Sequence, residues 1–152
     1  MQRGTELEKA VIEVNLRYRK EKAALILKKE TPIIVTSRGA IPMQSTVDFD
    51  GLMAGGKFIA FDAKETEQLS RFPLKNIKSH QTAYLKFVES LGGIAFFLIH
   101  FKKINKLFRV PVSLIVSYSN QNEKSIPLKI LEDNSKTVII EDYLEGLHYD
   151  RQ

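Results

Sequence analysis

The stretches Thr46-Val47-Asp48-Phe49-Asp50-Gly51 and Phe61-Asp62-Ala63-Lys64-Glu65-Thr66 decide the reading of this chain. They read as two strands, over residues 46–50 and 57–65, joined by a Gly-rich turn from Gly51 to Lys57. Residues two apart on a strand share a face, so Thr46, Asp48 and Asp50 align on one side and Asp62 aligns with Lys64. Folding about the turn brings Asp48 opposite, or diagonal to, Asp62. Val47, Phe49, Phe58, Ile59, Ala60 and Phe61 surround these charges. Charges among apolar strand residues are costly to bury unless they are paired or coordinate a metal.

Carboxylates facing each other across two strands repel, and a divalent cation removes the conflict. Mg²⁺ is the expected ion, with Mn²⁺ as a substitute, because hard cations take carboxylate oxygens and retain waters. Such an ion lowers the pKa of a bound water and stabilises negative charge on a pentavalent phosphate. Lys64 lies within reach to hold an attacking water or to neutralise the developing phosphorane charge, and a compact ammonium does either. An acid-x-Lys strand beside an Asp on its neighbour is the constellation of metal-dependent nucleases. The competing reading is an exposed hairpin edge with Asp48, Asp62 and Lys64 as solvated charges and a salt bridge. The apolar flanks weigh against it.

The chain has 152 residues, 43% of them hydrophobic, which predicts a single globular nuclease domain over 1–152. No apolar run reaches the roughly 18 residues of a membrane span, and the charged opening MQRGTELEK lacks the pattern of a secretory signal. Cysteine is absent, which excludes disulfides, thiolate metal sites and cysteine nucleophiles and fits a cytoplasmic protein. Residues 1–122 hold 19 Lys/Arg against 11 Asp/Glu, whereas residues 123–152 hold four against seven. A basic body with a mildly acidic tail suits a polyanionic partner. Lys28, Lys29, Arg38, Lys57, Arg71, Lys75 and Lys78 are expected to rim the acidic pair and to contact phosphates.

Thr5 is placed to cap a helix, with Glu8 completing a capping box and Leu7, Val11, Val14 and Tyr18 forming its apolar stripe. That cap explains Glu8 by itself; a place in the active site stands beside it as the alternative. Ala23 to Leu27 reads as a strand, Pro32 to Thr36 as its continuation or a second one, and residues 37–45 as a loop. Glu67 to Lys75 reads as a surface loop. Asn76 is expected to cap a second helix with the stripe Ile77, Gln81, Tyr84, Val88 and Leu91, ended by Gly92-Gly93. Gln81 is the polar residue on that stripe. Its amide needs a partner: a metal, a metal-bound water or a strand carbonyl. His80 points away from the stripe, as a surface or DNA-contact residue. IAFFLIHF (94–101) is continuous, as in a strand covered on both faces, and KLFRV (106–110) is its expected hairpin partner. The remaining apolar pieces, from VSLIV onward, show no clear period. The predicted fold is α/β, a mixed sheet flanked by helices.

Arg3-Gly4, Leu7-Glu8, Lys28-Lys29, Thr31-Pro32-Ile33, Thr46, Asp48 to Gly51 and the run Phe61 to Thr66 occur in one order along the chain. They are followed by Phe72 to Asn76, His80-Gln81, Gly92 to Phe96 and Ser125-Ile126-Pro127. In this the chain resembles the RecU Holliday-junction resolvases of Gram-positive bacteria and their phages. The resemblance implies a restriction-endonuclease-like nuclease core, a homodimer, and Mg²⁺-dependent paired nicking of four-way DNA junctions. It matches Thr46, Asp48, Asp62 and Gln81 to metal-site positions and Lys64 to a lysine that stabilises the transition state. Recombinase or branch-migration proteins are further partners in keeping with it. Two departures stand out. Asp62 occupies a position that is usually Glu in the family, and the family's long stalk is reduced to about Val35 to Gln44. The small size and clipped stalk suggest a phage or prophage version. Two other functions are carried beside resolution: a restriction- or repair-type endonuclease on duplex DNA, and a non-catalytic DNA-binding recombination regulator.

Overall fold

The computed structural model describes residues 4–30, 33–42 and 47–147. Its centre is a six-stranded mixed sheet in the order β1-β4-β5-β7-β8-β10, with strands β1 (Ala24–Lys28), β4 (Phe49–Met53), β5 (Phe58–Thr66), β7 (Ile94–Phe101), β8 (Lys106–Pro111) and β10 (Lys136–Val138). Only β5 and β7 run parallel, and helix α2 (Ser79–Ser90) makes their crossover; the other neighbours are antiparallel. The expected mixed sheet flanked by helices is the observed architecture.

Period-two alternation in β4 and β5 divides the core. Phe49, Ile59, Phe61 and Ala63 face helix α1 (Glu6–Lys20), whose buried positions are Leu7, Val11, Asn15 and Tyr18. Phe49, Phe61 and Phe96 stack across three adjacent strands with ring centroids 5.1 and 4.8 Å apart. Ala60, Phe97 and Ile99 face the other way, onto Leu85 and Val88 of α2 and Ile115 of α3 (Val112–Asn120). Strand β7 is therefore covered on both faces, as its unbroken apolar run requires.

Several boundaries differ from the sequence expectation. The acidic hairpin turns later: β4 runs through Gly51 to Met53, and the turn occupies Ala54 to Lys57, closed by Gly56 N–H to Met53 O at 2.9 Å. Gly51 belongs to the strand because β1 packs there; a Cβ at Gly51 would sit 1.9 Å from Leu25 O. The supposed loop at 37–45 contains β3 (Gly39–Pro42), which pairs with β2 (Ile33–Thr36) in a separate hairpin. The supposed loop at 67–75 contains β6 (Arg71–Pro73), paired with β9 (Ser125–Pro127), and it buries Phe72. Asn76 is not a cap but the end of a 3₁₀ turn that the β6–β9 ribbon anchors through Leu74 N–H to Lys124 O, 2.9 Å. Leu91 lies one residue past α2 and is 74% exposed, because Gly92 (φ +92°) turns the chain away; Val88 is buried as expected, and Leu85 joins it. Helix α4 (Leu128–Asn134) then leads into β10. No described helix is long and apolar enough to cross a membrane.

Candidate active site

The register Phe49↔Phe61 places Asp48 opposite Asp62, one step beyond the paired segment of β4. The two acids interlock through backbone and side chain. Asp48 N–H donates to Asp62 Oδ1 at 2.8 Å, and Ala63 N–H donates to Asp48 Oδ2 at 3.1 Å. Asp62 is fully buried, so its charge needs compensation close by. Lys64, two residues along β5 and on the same face, supplies it with Nζ 2.9 Å from Asp62 Oδ2. That contact is an ion pair without hydrogen-bond alignment, which leaves the buried Oδ2 with no hydrogen-bond donor.

Electrostatics set Asp48 apart from an ordinary surface carboxylate. Burial, and then the neighbouring Asp62 charge, push the Asp48 carboxyl up to about 6, against the opposing pull of the Ala63 N–H and Lys28. Lys28 at the end of β1 lies 3.6 Å from Asp48 Oδ1 and 3.6 Å from Glu8 Oε1, so it links α1 to the acidic pair. Lys29 takes the next acid, with Nζ 3.3 Å from Asp50 Oδ2. Glu8 does both things considered for it. Its Oε2 accepts from Thr5 N–H at 3.1 Å in a capping box, while Oε1 faces Lys28.

The structure thus brings Asp48, Asp62 and Lys64 together. Gln81 is engaged elsewhere: its amide oxygen accepts from Lys78 N–H at 3.1 Å, satisfying the N-terminus of α2, a partner other than the metal, metal-bound water or strand carbonyl expected for it. Thr46 lies outside the described residues, as do Arg3, Thr31 and Pro32. Among the described residues no three His, Asp or Glu side chains converge as a ready metal cage. The donor set nonetheless fits a hard divalent cation. Two interlocked carboxylates, Asp62 fully buried and Asp48 partly so, lie side by side; one of their oxygens lacks a donor, and the Asp48 carboxyl is held towards its neutral form by burial and then by repulsion, which a cation would cancel.

The basic rim is only partly as expected. Lys28 and Lys29 reach the acids, but Lys57 sits at the hairpin's opposite end, five residues and about 16 Å of extended strand from Asp62. Arg71 donates its Nε to Ser125 Oγ at 2.6 Å, bracing the β6–β9 ribbon. Sequence reasoning took Lys28 for a phosphate contact and missed its place between two carboxylates. A lysine closing an otherwise apolar strand was the available signal.

The family model for recombination protein U (RecU) matches residues 2–149. This chain belongs to the RecU family. It is 37% identical over 147 residues to the Holliday junction resolvase RecU of Pediococcus pentosaceus, covering 86% of this chain and 73% of that protein. It is 34% identical over 166 residues to the Holliday junction resolvase RecU of Oenococcus oeni, covering 95% and 84%. The fold is also that of Archaeoglobus fulgidus Hjc, a Holliday junction resolvase from an archaeal hyperthermophile: TM-score 0.56, 13% identity, 91% of this chain and 98% of that one.

Proposed function

We propose that this RecU-family chain is a Holliday-junction-resolving endonuclease that nicks paired strands of a four-way DNA junction. One observation carries the proposal: buried Asp62 is linked to Asp48 on one side and ion-paired to Lys64 on the other, in a chain of this family. Asp48 and Asp62 would hold Mg²⁺, with Thr46 and Gln81 as the further ligands that the family resemblance implies; Gln81 would release Lys78 N–H to serve. The bound ion supplies an acidified water and charge neutralisation at the scissile phosphate. Lys64 directs its ammonium towards charge developing on the phosphoryl oxygens, and its partial burial strengthens it by excluding competing water. Asp62 orients that ammonium. Its Oδ1, held by Asp48 N–H, keeps the two acids in register while substrate binds.

A homodimer belongs to the proposal, since two sites related by a two-fold axis match the symmetry of a junction. A row of exposed apolar side chains across β1, β4 and β5, Leu25, Leu52 and Phe58, supports it, because exposed apolar patches mark interfaces. The single domain, a cytoplasmic location and recombination partners are part of the same reading.

Incubating the protein with labelled four-way and linear duplex DNA, with and without Mg²⁺, tests it. Mg²⁺-dependent, symmetric nicks in the junction are expected; no cleavage of any DNA would overturn it. Because the β2–β3 hairpin spans only ten residues, 33–42, an endonuclease acting on duplex DNA is the second reading. Linear duplex cut as fast as junctions would favour that one.

A further inference from the structure

Successive residues of β5 point to opposite faces of the sheet. Lys64 turns to Asp62, and Glu65 turns the other way, to the start of α1. Glu65 Oε1 accepts from Leu7 N–H at 2.7 Å, and its Oε2 lies 3.3 Å from Lys102 Nζ just past β7. The Leu7 N–H is one of the first-turn donors that a helix cannot satisfy internally. A carboxylate placed there gains both a charge-assisted hydrogen bond and the favourable end of the helix dipole. Burial pulls the Glu65 carboxyl upward, but Leu7 N–H, the Thr5 hydroxyl and Lys102 outweigh it, so the group stays charged.

The next residue of the same helical turn is Glu8, whose other oxygen faces Lys28, which in turn faces Asp48. A closed circuit results: β5 to α1 through Glu65, α1 to β1 through Glu8 and Lys28, and back to the acidic pair through Asp48. Thr5 and Glu8 cap only each other's N–H groups, so the Leu7 N–H is met from across the fold, and the same carboxylate that meets it also binds Lys102, tying α1 to the central sheet.

We propose that Glu65 is a positioning residue for the cleavage site, fixing the first turn of α1 to β5 so that Glu8 and Lys28 stay seated against Asp48. The activity part of this rests on the endonuclease reading above; the geometric part does not.

Three variants test it: Glu65→Ala removes both contacts, Glu65→Gln keeps an acceptor for Leu7 N–H, and Glu65→Asp is too short to reach it. The readouts are the side-chain carboxyl ¹³C resonances of Glu8 and Asp48, Mn²⁺ affinity by calorimetry, and kcat and KM for junction cleavage. For Glu65→Ala we expect displaced Glu8 and Asp48 resonances, and Mn²⁺ affinity and kcat each lowered ~10-fold with KM for DNA unchanged. Glu65→Gln should restore most of both. Should Glu65→Ala fail to fold, Glu65→Asp is expected to show the same displacements. Wild-type resonances, Mn²⁺ affinity and kcat in a folded Glu65→Ala or Glu65→Asp protein, with only the melting temperature lowered, would overturn the proposal. If the wild-type protein cuts no junction, the endonuclease reading fails by itself, and the resonances decide the role of Glu65.

Discussion

The Asp48 backbone N–H donates to the Asp62 side chain at 2.8 Å, so each acid is held by the other's segment before any cation arrives. The interlock preorganises two carboxylates that repel. Asp48→Asn keeps the backbone donor and removes one of the two charges. In metal-free buffer this variant is therefore expected to be more stable than wild type, by about 1–2 kcal/mol in urea denaturation. Adding Mg²⁺ should stabilise the wild type and leave Asp48→Asn unmoved, while cleavage is lost and junction binding is kept. A variant that still cuts at the wild-type rate would remove Asp48 from the site.

A pH dependence follows from the burial of Asp48 and, after it, from the same repulsion. The Asp48 carboxyl lies at about 6 in the fold against an ordinary value of 3.8, so between those values the folded chain binds more protons than the unfolded one. Stability contributed by this group is present below about 3.8, declines as pH rises to about 6, and is flat above. Metal affinity runs the opposite way, rising over the same window as Asp48 ionises. Denaturation profiles from pH 4 to 7, compared with Asp48→Asn, check the first trend; calorimetric Mn²⁺ titrations at the same pH values check the second. A wild-type profile parallel to that of the variant would refute the assignment.

Much of this was legible in the chain. Alternation at Phe49, Phe61 and Ala63 fixes which face Asp62 and Lys64 take, and the Gly-rich turn brings Asp48 near Asp62, opposite or diagonal; the Phe49↔Phe61 register decides for opposite. The misread segments are those whose structure depends on distant partners. Strand β6 forms only because β9 pairs with it after α2, the β7–β8 hairpin and α3 have intervened, so Glu67 to Lys75 carries no local strand signal. Gln81 was placed on an apolar stripe by period alone, but α2 starts at Ser79, and at its third position an amide oxygen meets the Lys78 N–H first. Glu65 was invisible as a contact because its partner, Leu7, lies on another element.

Lys64 is the only side-chain counter-charge within 4.0 Å of Asp62 among the described residues. Lys64→Ala leaves a fully buried carboxylate unpaired, a change that costs about 3–5 kcal/mol in comparable buried pairs. Metal-free Lys64→Ala should therefore melt well below wild type, and Mg²⁺ should raise its melting temperature by more than it raises that of the wild type, since the ion then neutralises both acids. Cleavage should be absent at every Mg²⁺ concentration, with junction binding intact. Equal Mg²⁺ stabilisation of the two proteins would show that Asp62 does not face the ion.

Gly51 lies opposite Ile26 in the β1–β4 ladder, where the two backbones approach too closely for any side chain. In Gly51→Ala the new Cβ would lie 1.9 Å from Leu25 O and 2.8 Å from Ile26 Cα, both backbone atoms that no rotamer change can move aside. β1 must therefore shift outward, carrying Lys28 away from Asp48. The expected loss is about 2–4 kcal/mol of stability, at the high end for a single methyl because an edge strand is displaced. Amide exchange should rise along residues 24–28 ahead of the central strands, and the Mg²⁺ requirement for cleavage should shift in the protein that remains folded. Unchanged protection in β1 would mean that the ladder tolerates the methyl group and that Lys28 holds its position independently of the pairing.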